Sequence, residues 1–519
     1  MSENEILRRA SYGPTSPVVG ARGSRTRARV VETALGLFEA QGFHGTSVDD
    51  IAKAAGVSRA TLYQYFESKE QIFIELLQEC GTALMRVVRR IGPLEPTELG
   101  FDNLHWWLGE WAWVYDRYST MFVQWANISS PGTPIPEMAS RFLADYHERI
   151  ARRLTASGVT GIDPVDAAVV LTTLVNAANY TRHVDGAAGP AAGRTAGQGS
   201  GPGTGPGGAR PAARSTAIST EHLTDGLAVL IQLLLFPQTP PAVFAQLGRE
   251  IPTPRPPSGG ERLWSAPSAA PASASAQPPA PAAPAQPPTP VSSPVAAPRP
   301  DDRFAGLSSR AGATVARLLD AGVQCFTEKG YHQCSVDDVV SLAGYARGTF
   351  YKYFDEKLDL LVALSDRALG AITELDERLR GIRAATTPAA PAAPAAPDPG
   401  DLRDWLDAVA TFALRYLGVT RVWLDQQPHH ARLDEVRRVM SERLHTGYAT
   451  VPGGGRWPHP LDPRIASIAF FTVLERLPEA LVDATPERPV AQIVDVMAAA
   501  LDRTRLLTGV SLPVAPDLP

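Results

Sequence analysis

The sequence predicts an all-α protein built from two similar units in tandem, and three observations carry that expectation. Apolar residues recur at helical spacing, as at Val31, Leu35 and Phe38, with no convincing run of alternating strands. The stretch GVSRATLYQYFESKE at 56–70 returns as GYARGTFYKYFDEKL at 344–358. Between the copies, 238–302 is dense in Pro, Ala, Ser and Gln and poor in large apolar side chains, the composition of a linker.

At 519 residues the chain is long enough for more than one hydrophobic core, and two are expected, one on each side of the linker. Lys plus Arg number 49 against 54 Asp plus Glu, so any nucleic-acid surface must be local. Cys80, Cys325 and Cys334 have neither CxxC nor Cys/His spacing; they predict no disulfide framework and no zinc site, and fit a reducing cytoplasm. No apolar run suits a signal peptide or a membrane span, so the expectation is a soluble cytoplasmic protein without membrane contact.

A tail is expected over 1–20 and the first unit after it. The helix through Val31, Leu35 and Phe38 should stop before Gly42. Ser47, three residues ahead of Asp50, signals the cap of a short helix that buries Val48, Ile51 and Ala55 and ends at Gly56. Asp49 and Asp50 then suit the positive end of that helix. After the turn Gly56-Val57-Ser58, Ser58 can cap a second short helix, Arg59 to Phe66. Two short helices around a three-residue turn form a helix-turn-helix, whose second member enters the DNA major groove. Leu62 and Phe66 should face the core, leaving Arg59, Thr61, Tyr63, Gln64 and Tyr65 on or near the outer side. Arg can read guanine, Gln adenine, and the hydroxyls can contact phosphate, with Lys69 adding a point charge. For Tyr63 and Tyr351, ring packing against the preceding helix is the alternative.

Laying residue n on n + 288 pairs Phe38 with Phe326, Gly42 with Gly330, Ser47 with Ser335, Asp50 with Asp338, Arg59 with Arg347, Tyr63 with Tyr351 and Lys69 with Lys357. The domain is duplicated. TSVDDIAKAAGVSRATLYQYFESKE at 46–70 resembles the DNA-binding region of the TetR family of one-component transcriptional regulators. The resemblance implies phosphate contacts from Ser47, Thr61, Tyr63, Tyr65 and Lys69, and base reading by Arg59 and Gln64. In copy two the same roles would fall to Ser335, Thr349, Tyr351, Tyr353 and Lys357, and to Arg347 and Lys352. It also implies, after each three-helix head, a larger helical domain that dimerises through its last two helices and can enclose a ligand. The expected organisation is then head one at 21–70 and helical domain one at 71–237, with a Gly-rich loop at 185–215. The linker at 238–302 leads to head two at 303–358 and helical domain two at 359–510, with a Pro/Ala-rich loop at 384–399 and a tail at 511–519.

Copy two departs from the pattern. Tyr345 and Ala346 replace Val57 and Ser58, which removes an N-cap worth about 0.5–2 kcal/mol. Four arginines precede copy one in ARGSRTRAR at 21–29, whereas copy two has Arg303, Arg310 and Arg317 with Asp301 and Asp302 nearby, so copy one should grip phosphate harder. Seven Lys/Arg against six Asp/Glu between 20 and 70 still make this a weakly basic head.

The helices at 163–180 and 221–236, and at 462–482 and 489–507, look like the pairing helices of the two units. Asp163-Pro164 and Asp462-Pro463 put proline at a first helical position. All four could form one intramolecular bundle, a pseudo-dimer within the chain; a homodimer of tandem chains is the alternative. A flexible linker of this length reaches roughly 40–45 Å and gives an effective concentration on the order of millimolar. Unequal recognition helices predict an asymmetric operator, its halves about one helical turn or a multiple apart.

Trp107, Trp111, Tyr115, Tyr118, Phe122 and Trp125 form one helical stripe, either core packing or the wall of a small hydrophobic effector's pocket. Trp405, Phe412, Tyr416 and Trp423 echo it with fewer indoles, so a ligand is expected in copy one. Gly203, Gly205 and Gly208 have GxGxxG spacing, but no strand leads into them, so they read as loop. His429-His430 reads as a surface pair, and no cofactor is expected. There is no nucleophile elbow, Walker loop or HExxH, so an enzyme is not expected. A second alternative is a single-headed adaptor whose copy two serves pairing or protein interaction.

Overall fold

In a computed structural model of the chain, the structure describes residues 21–124, 135–187, 218–247, 304, 306–384, 399–424, 428–450 and 461–507. Both expected tails, most of the two low-complexity inserts, most of the linker and Trp125 lie outside them. Among the described residues there is no strand.

The first unit comprises α1 (Ala21–Gly45), α2 (Val48–Ala54), α3 (Arg59–Tyr65), α4 (Lys69–Arg89), α5 (Glu98–Arg117), α6 (Ser119–Gln124), α7 (Ile135–Ala156), α8 (Pro164–Ala187) and α9 (Thr220–Leu235). A 3-10 turn, Pro241–Gln246, follows. The second comprises α10 (Ser309–Lys329), α11 (Val336–Ala343), α12 (Arg347–Phe350), α13 (Lys357–Ala384), α14 (Pro399–Arg415), α15 (Leu417–Leu424), α16 (Ala431–Thr450), α17 (Pro463–Glu475), α18 (Leu477–Ala484) and α19 (Val490–Arg503).

Local chemistry sets most of these boundaries. Gly42 and Gly330 take φ values of 73° and 77°, a region that a Cβ disfavours, so the regular part of each first helix stops there. Ser47 and Ser335 each accept from the backbone of Asp50 or Asp338, whose carboxylate binds back to the serine N–H. The Asp163 and Asp462 carboxylates accept from the N–H groups of Val165 and Arg464, at 2.8 and 2.7 Å. The single helix expected over 462–482 is broken at Arg476, because Pro478 has no N–H for the turn that would join α17 to α18.

The hydrophobic core is not divided as expected. One cluster runs through the first head, α4–α9, and on into Trp405, Phe470 and Met497 of the second unit; another belongs to the second head, with Leu360 and Val419. The reason is that α9 from Gly226 to Leu235 is buried on every side, with Leu230, Ile231 and Leu234 all fully so, and it must therefore be covered by more than its own unit. The packing is close, since a Cβ on Gly226 of α9 would lie 2.6 Å from Ile465 Cδ1 of α17. Polar ties flank it. Arg488 donates to Asp166 at 2.7 Å, His222 and Asp462 are bonded at 2.9 Å, and Arg503 Nη2 donates to the Leu235 carbonyl at 3.0 Å. Burial works against the Asp462 carboxylate, but hydrogen bonds from Arg464 and His222 outweigh it and keep the group below the usual carboxylate range.

Candidate nucleic-acid interface and ligand cavity

In the first head Ser58 caps α3, its Oγ accepting from Thr61 N at 3.0 Å, and Leu62 is fully buried. Arg59, Tyr63 and Gln64 are exposed and Thr61 is half-buried. Arg59 Nη1 bonds Asp49 Oδ2 at 2.8 Å, and its guanidinium lies 5.6 Å from the Tyr63 ring centroid. Tyr63 therefore supports the arginine rather than packing inward. Asp49 faces the reader residue, while Asp50 serves the cap of α2, where hydrogen bonds from Ser47 hold its carboxyl below the usual range.

The second head repeats this arrangement. Arg347 Nη1 bonds Asp337 Oδ2 at 3.0 Å, and its guanidinium lies 5.8 Å from the Tyr351 ring. Ser335 and Lys352 are exposed, Thr349 and Tyr353 half-buried. The missing cap has a visible consequence: Ala346 makes no side-chain cap, and α12 is four residues long where α3 has seven.

Three expected DNA contacts take different positions. Tyr65 is buried, because α3 turns it inward with Leu62 and Phe66. Lys69 Nζ donates to the carbonyls of Phe43 and Thr46 at 2.7 and 2.8 Å, and Lys357 Nζ to those of Tyr331, His332 and Cys334 at 2.6, 3.3 and 2.8 Å. Burial lowers both lysine pKa values. Each lysine thus pins the loop after the first helix, satisfying carbonyls at a helix end. Arg27, one of the four arginines in the basic arm, is buried. It donates to the Tyr65 carbonyl at 2.8 Å, pairs with Glu75 and lies 4.2 Å from the Phe66 ring. Its counterpart in copy two is Val315, and that of Glu75 is Ala363, both in the apolar core.

Residues 30–76 and 318–364 each match the family described as bacterial regulatory proteins, tetR family. Both units belong to the TetR family. A relative of this TetR tandem is IcaR of Staphylococcus aureus, a negative transcriptional regulator of the biofilm operon icaADBC. It is 30% identical over 100 residues, which are 19% of this chain and 53% of IcaR. A protein of Mycobacterium tuberculosis named for regulating mycofactocin biosynthesis, MftR, is 48% identical over 59 residues, 11% of this chain and 30% of MftR. The chain thus spans about half the length of IcaR and less of MftR. The fatty acid degradation regulator FadR of Bacillus halodurans aligns over 38% of this chain and 96% of its own, at 20% identity and a TM-score of 0.28.

The second TetR head holds a feature against expectation. Cys325 and Cys334 form a disulfide, with both residues buried, and Cys80 is the one free cysteine. A nine-residue spacing gave no signal for it, because the two sulfurs meet only after Gly330 reverses the chain.

Behind the TetR heads lies a cavity of about 2130 Å³ with walls from both units. Trp111, Phe122, Tyr146 and His147 line one side, Phe412, Trp423 and Phe471 the other. Of the aromatic stripe, Trp111 and Phe122 reach the cavity, whereas Trp107 and Tyr115 are core residues. The cavity is not confined to copy one, the expected place for a ligand, since Trp423 and Phe471 complete its wall. Trp111 Nε1 donates to Tyr146 OH at 2.6 Å. His147 bonds Thr172 Oγ1 at 3.0 Å, and burial lowers its pKa to about 4, so it is neutral. His430 Nδ1 accepts from Arg432 N at 3.2 Å at the start of α16, a local helix-end role. No described helix is long and apolar enough to cross a membrane.

Proposed function

We propose that the chain is a DNA-binding transcriptional repressor that reads an asymmetric operator with two unequal heads paired within one molecule. One observation carries this reading: Arg59 and Arg347 have the same exposed setting, against Asp49 and Asp337 and beside Tyr63 and Tyr351, on recognition helices of different length. An exposed ion pair is worth at most about 1 kcal/mol, so a guanine edge or a phosphate can take either guanidinium from its aspartate. Ser47, Thr61, Tyr63 and Gln64, with Ser335, Thr349, Tyr351, Lys352 and Tyr353, are the remaining contacts proposed. The contacts of α8 and α9 with α17 and α19 support a pseudo-dimer inside the chain. The negative sign of regulation follows the name of IcaR. The shared cavity supports modulation of DNA binding by a largely apolar effector.

Footprinting on DNA selected from random sequence tests the reading. The expected site has two dissimilar halves. Arg59→Ala and Arg347→Ala should each weaken binding at a different half by about 1–3 kcal/mol. A symmetric site with equivalent halves would overturn it. A second reading, a single-headed adaptor, is favoured by the short, uncapped α12, and a silent Arg347→Ala would select it.

A further inference from the structure

The Cys325–Cys334 bond occupies a position that the duplication makes interpretable. Subtracting 288 from each number gives Leu37 and Thr46 in the first head. There Thr46 Oγ1 lies 3.3 Å from the Leu37 carbonyl and 2.8 Å from that of Gly42, and Thr46 immediately precedes the capping residue Ser47. In both heads, then, the residue before the cap of the second helix is tied back to the last turns of the first. In the first head the tie is a hydrogen bond, and in the second it is covalent.

We propose that Cys325 and Cys334 form a reversible oxidation site whose state sets how firmly the second head is held for DNA. Disulfides in proteins of reducing compartments are mostly transient or redox-sensing rather than structural. The path from the sulfurs to the reader is short. Cys334 adjoins Ser335, the cap of α11; two residues on, Asp337 holds Arg347. Reduction removes one tie and leaves others, among them the Lys329–Asp338 pair at 2.6 Å, the Lys357 clasp on the same loop and the Cys334 N–H donating to the Gly330 carbonyl at 3.0 Å. The head is therefore loosened, not unfolded. Its recognition helix, uncapped and four residues long, has little local stability with which to resist that loosening. Both sulfurs are buried, but the loop between them, Gly330, Tyr331, His332 and Gln333, forms part of the cavity wall, so a small oxidant or reductant reaches them when that loop opens locally.

The oxidant named is a hydroperoxide. The thiolate of one cysteine attacks the O–O bond, giving a sulfenic acid and releasing ROH after protonation. The second thiol then attacks that sulfur, the Sγ–Sγ bond forms, and water leaves. In total the two thiols lose two protons and two electrons, and ROOH becomes ROH and water. A small dithiol reverses the step, and its own sulfurs become bonded as both protein thiols are restored.

This inference rests on the DNA-reading role only for its consequence, so the test has two arms. The full chain is reduced with dithiothreitol or oxidised with hydrogen peroxide, then denatured and its thiols alkylated. Three should react after reduction, and Cys80 alone after mild oxidation. In the native chain, amide exchange over Val336–Phe350 should speed up at least tenfold on reduction, while Val48–Tyr65 is unchanged. A chain with Cys325→Ser and Cys334→Ser should exchange like the reduced protein in either condition. On DNA, reduction should weaken the half-site read by the second head at least threefold and leave the other half untouched. Three reactive thiols after peroxide treatment, or a formed bond with no change in exchange, would overturn the proposal. Loss of DNA binding in both states, with the exchange difference intact, would instead count against the regulator reading. An exchange difference with equal DNA affinity at both half-sites in the two states would overturn the coupling of the bond to DNA reading.

Discussion

Arg503 Nε donates to the carbonyl of Leu234 at 2.5 Å, across 269 residues of sequence. Leu234 lies in the last turn of α9, where backbone carbonyls have no partner within the helix and carry partial negative charge. An arginine from the final helix of one unit therefore finishes a helix of the other. Arg503→Met keeps the aliphatic stem and leaves those carbonyls bare. It should lower stability by about 2 kcal/mol, seen as a fall in the urea midpoint.

The unequal recognition helices make a reciprocal pair of predictions. Ser58→Ala should cost the first head about 1 kcal/mol and shorten α3, whereas Ala346→Ser should gain the second head a similar amount and lengthen α12. Amide exchange of Thr61 and Thr349 reads both changes.

Lys69 separates a structural role from a DNA contact. With its ammonium on the Phe43 and Thr46 carbonyls, Lys69→Met should destabilise the first head by about 1–3 kcal/mol. The dependence of DNA affinity on salt should keep its slope. A lost phosphate contact would instead reduce that slope by about one unit.

Copy two offers a ready replacement for the Arg27–Glu75 pair, whose side chains are 8% and 19% exposed. Arg27→Val alone strands a buried carboxylate and should cost about 3–5 kcal/mol. Adding Glu75→Ala reproduces the Val315/Ala363 combination and should recover most of the loss, which a double-mutant cycle on urea midpoints would show.

His147 predicts a pH dependence with a definite sign. Its pKa falls from 6.5 to about 4 on folding because burial penalises the imidazolium. Thr172 donates its hydroxyl proton to the Ala168 or Val169 carbonyl, so it accepts from the neutral Nε2–H. Between these pH values the unfolded chain binds more protons, so stability is complete above pH 6.5 and declines as pH falls toward 4. The loss should reach roughly 3 kcal/mol, and His147→Gln should remove that portion of the slope in urea midpoints measured across the window.

The heads were largely legible in the sequence because their determinants are local. Capping by Ser47 and Ser335, the reversals at Gly42 and Gly330 and the turn before α3 all act within a few residues, and so does the lost cap at Ala346. The outward placement of Arg59, Tyr63 and Gln64 follows from the same short-range periodicity. Tyr65 escaped it because the last turn of a seven-residue helix is oriented by what it packs against.

What the tertiary structure decided involves partners distant along the chain. Lys69 spans 26 residues to reach Phe43, Arg27 spans 48 to reach Glu75, and Arg488 spans 322 to reach Asp166. No periodicity records such pairings, since each depends on where whole helices settle. The shared core and the cavity between the units have the same origin. Sequence patterning by itself determined that α9 and α17 are apolar almost throughout; only packing in three dimensions decided that they would cover one another. The physical reason is that burial of apolar surface is strong but carries no direction, so the close fit of Gly226 under Ile465 selects the partner.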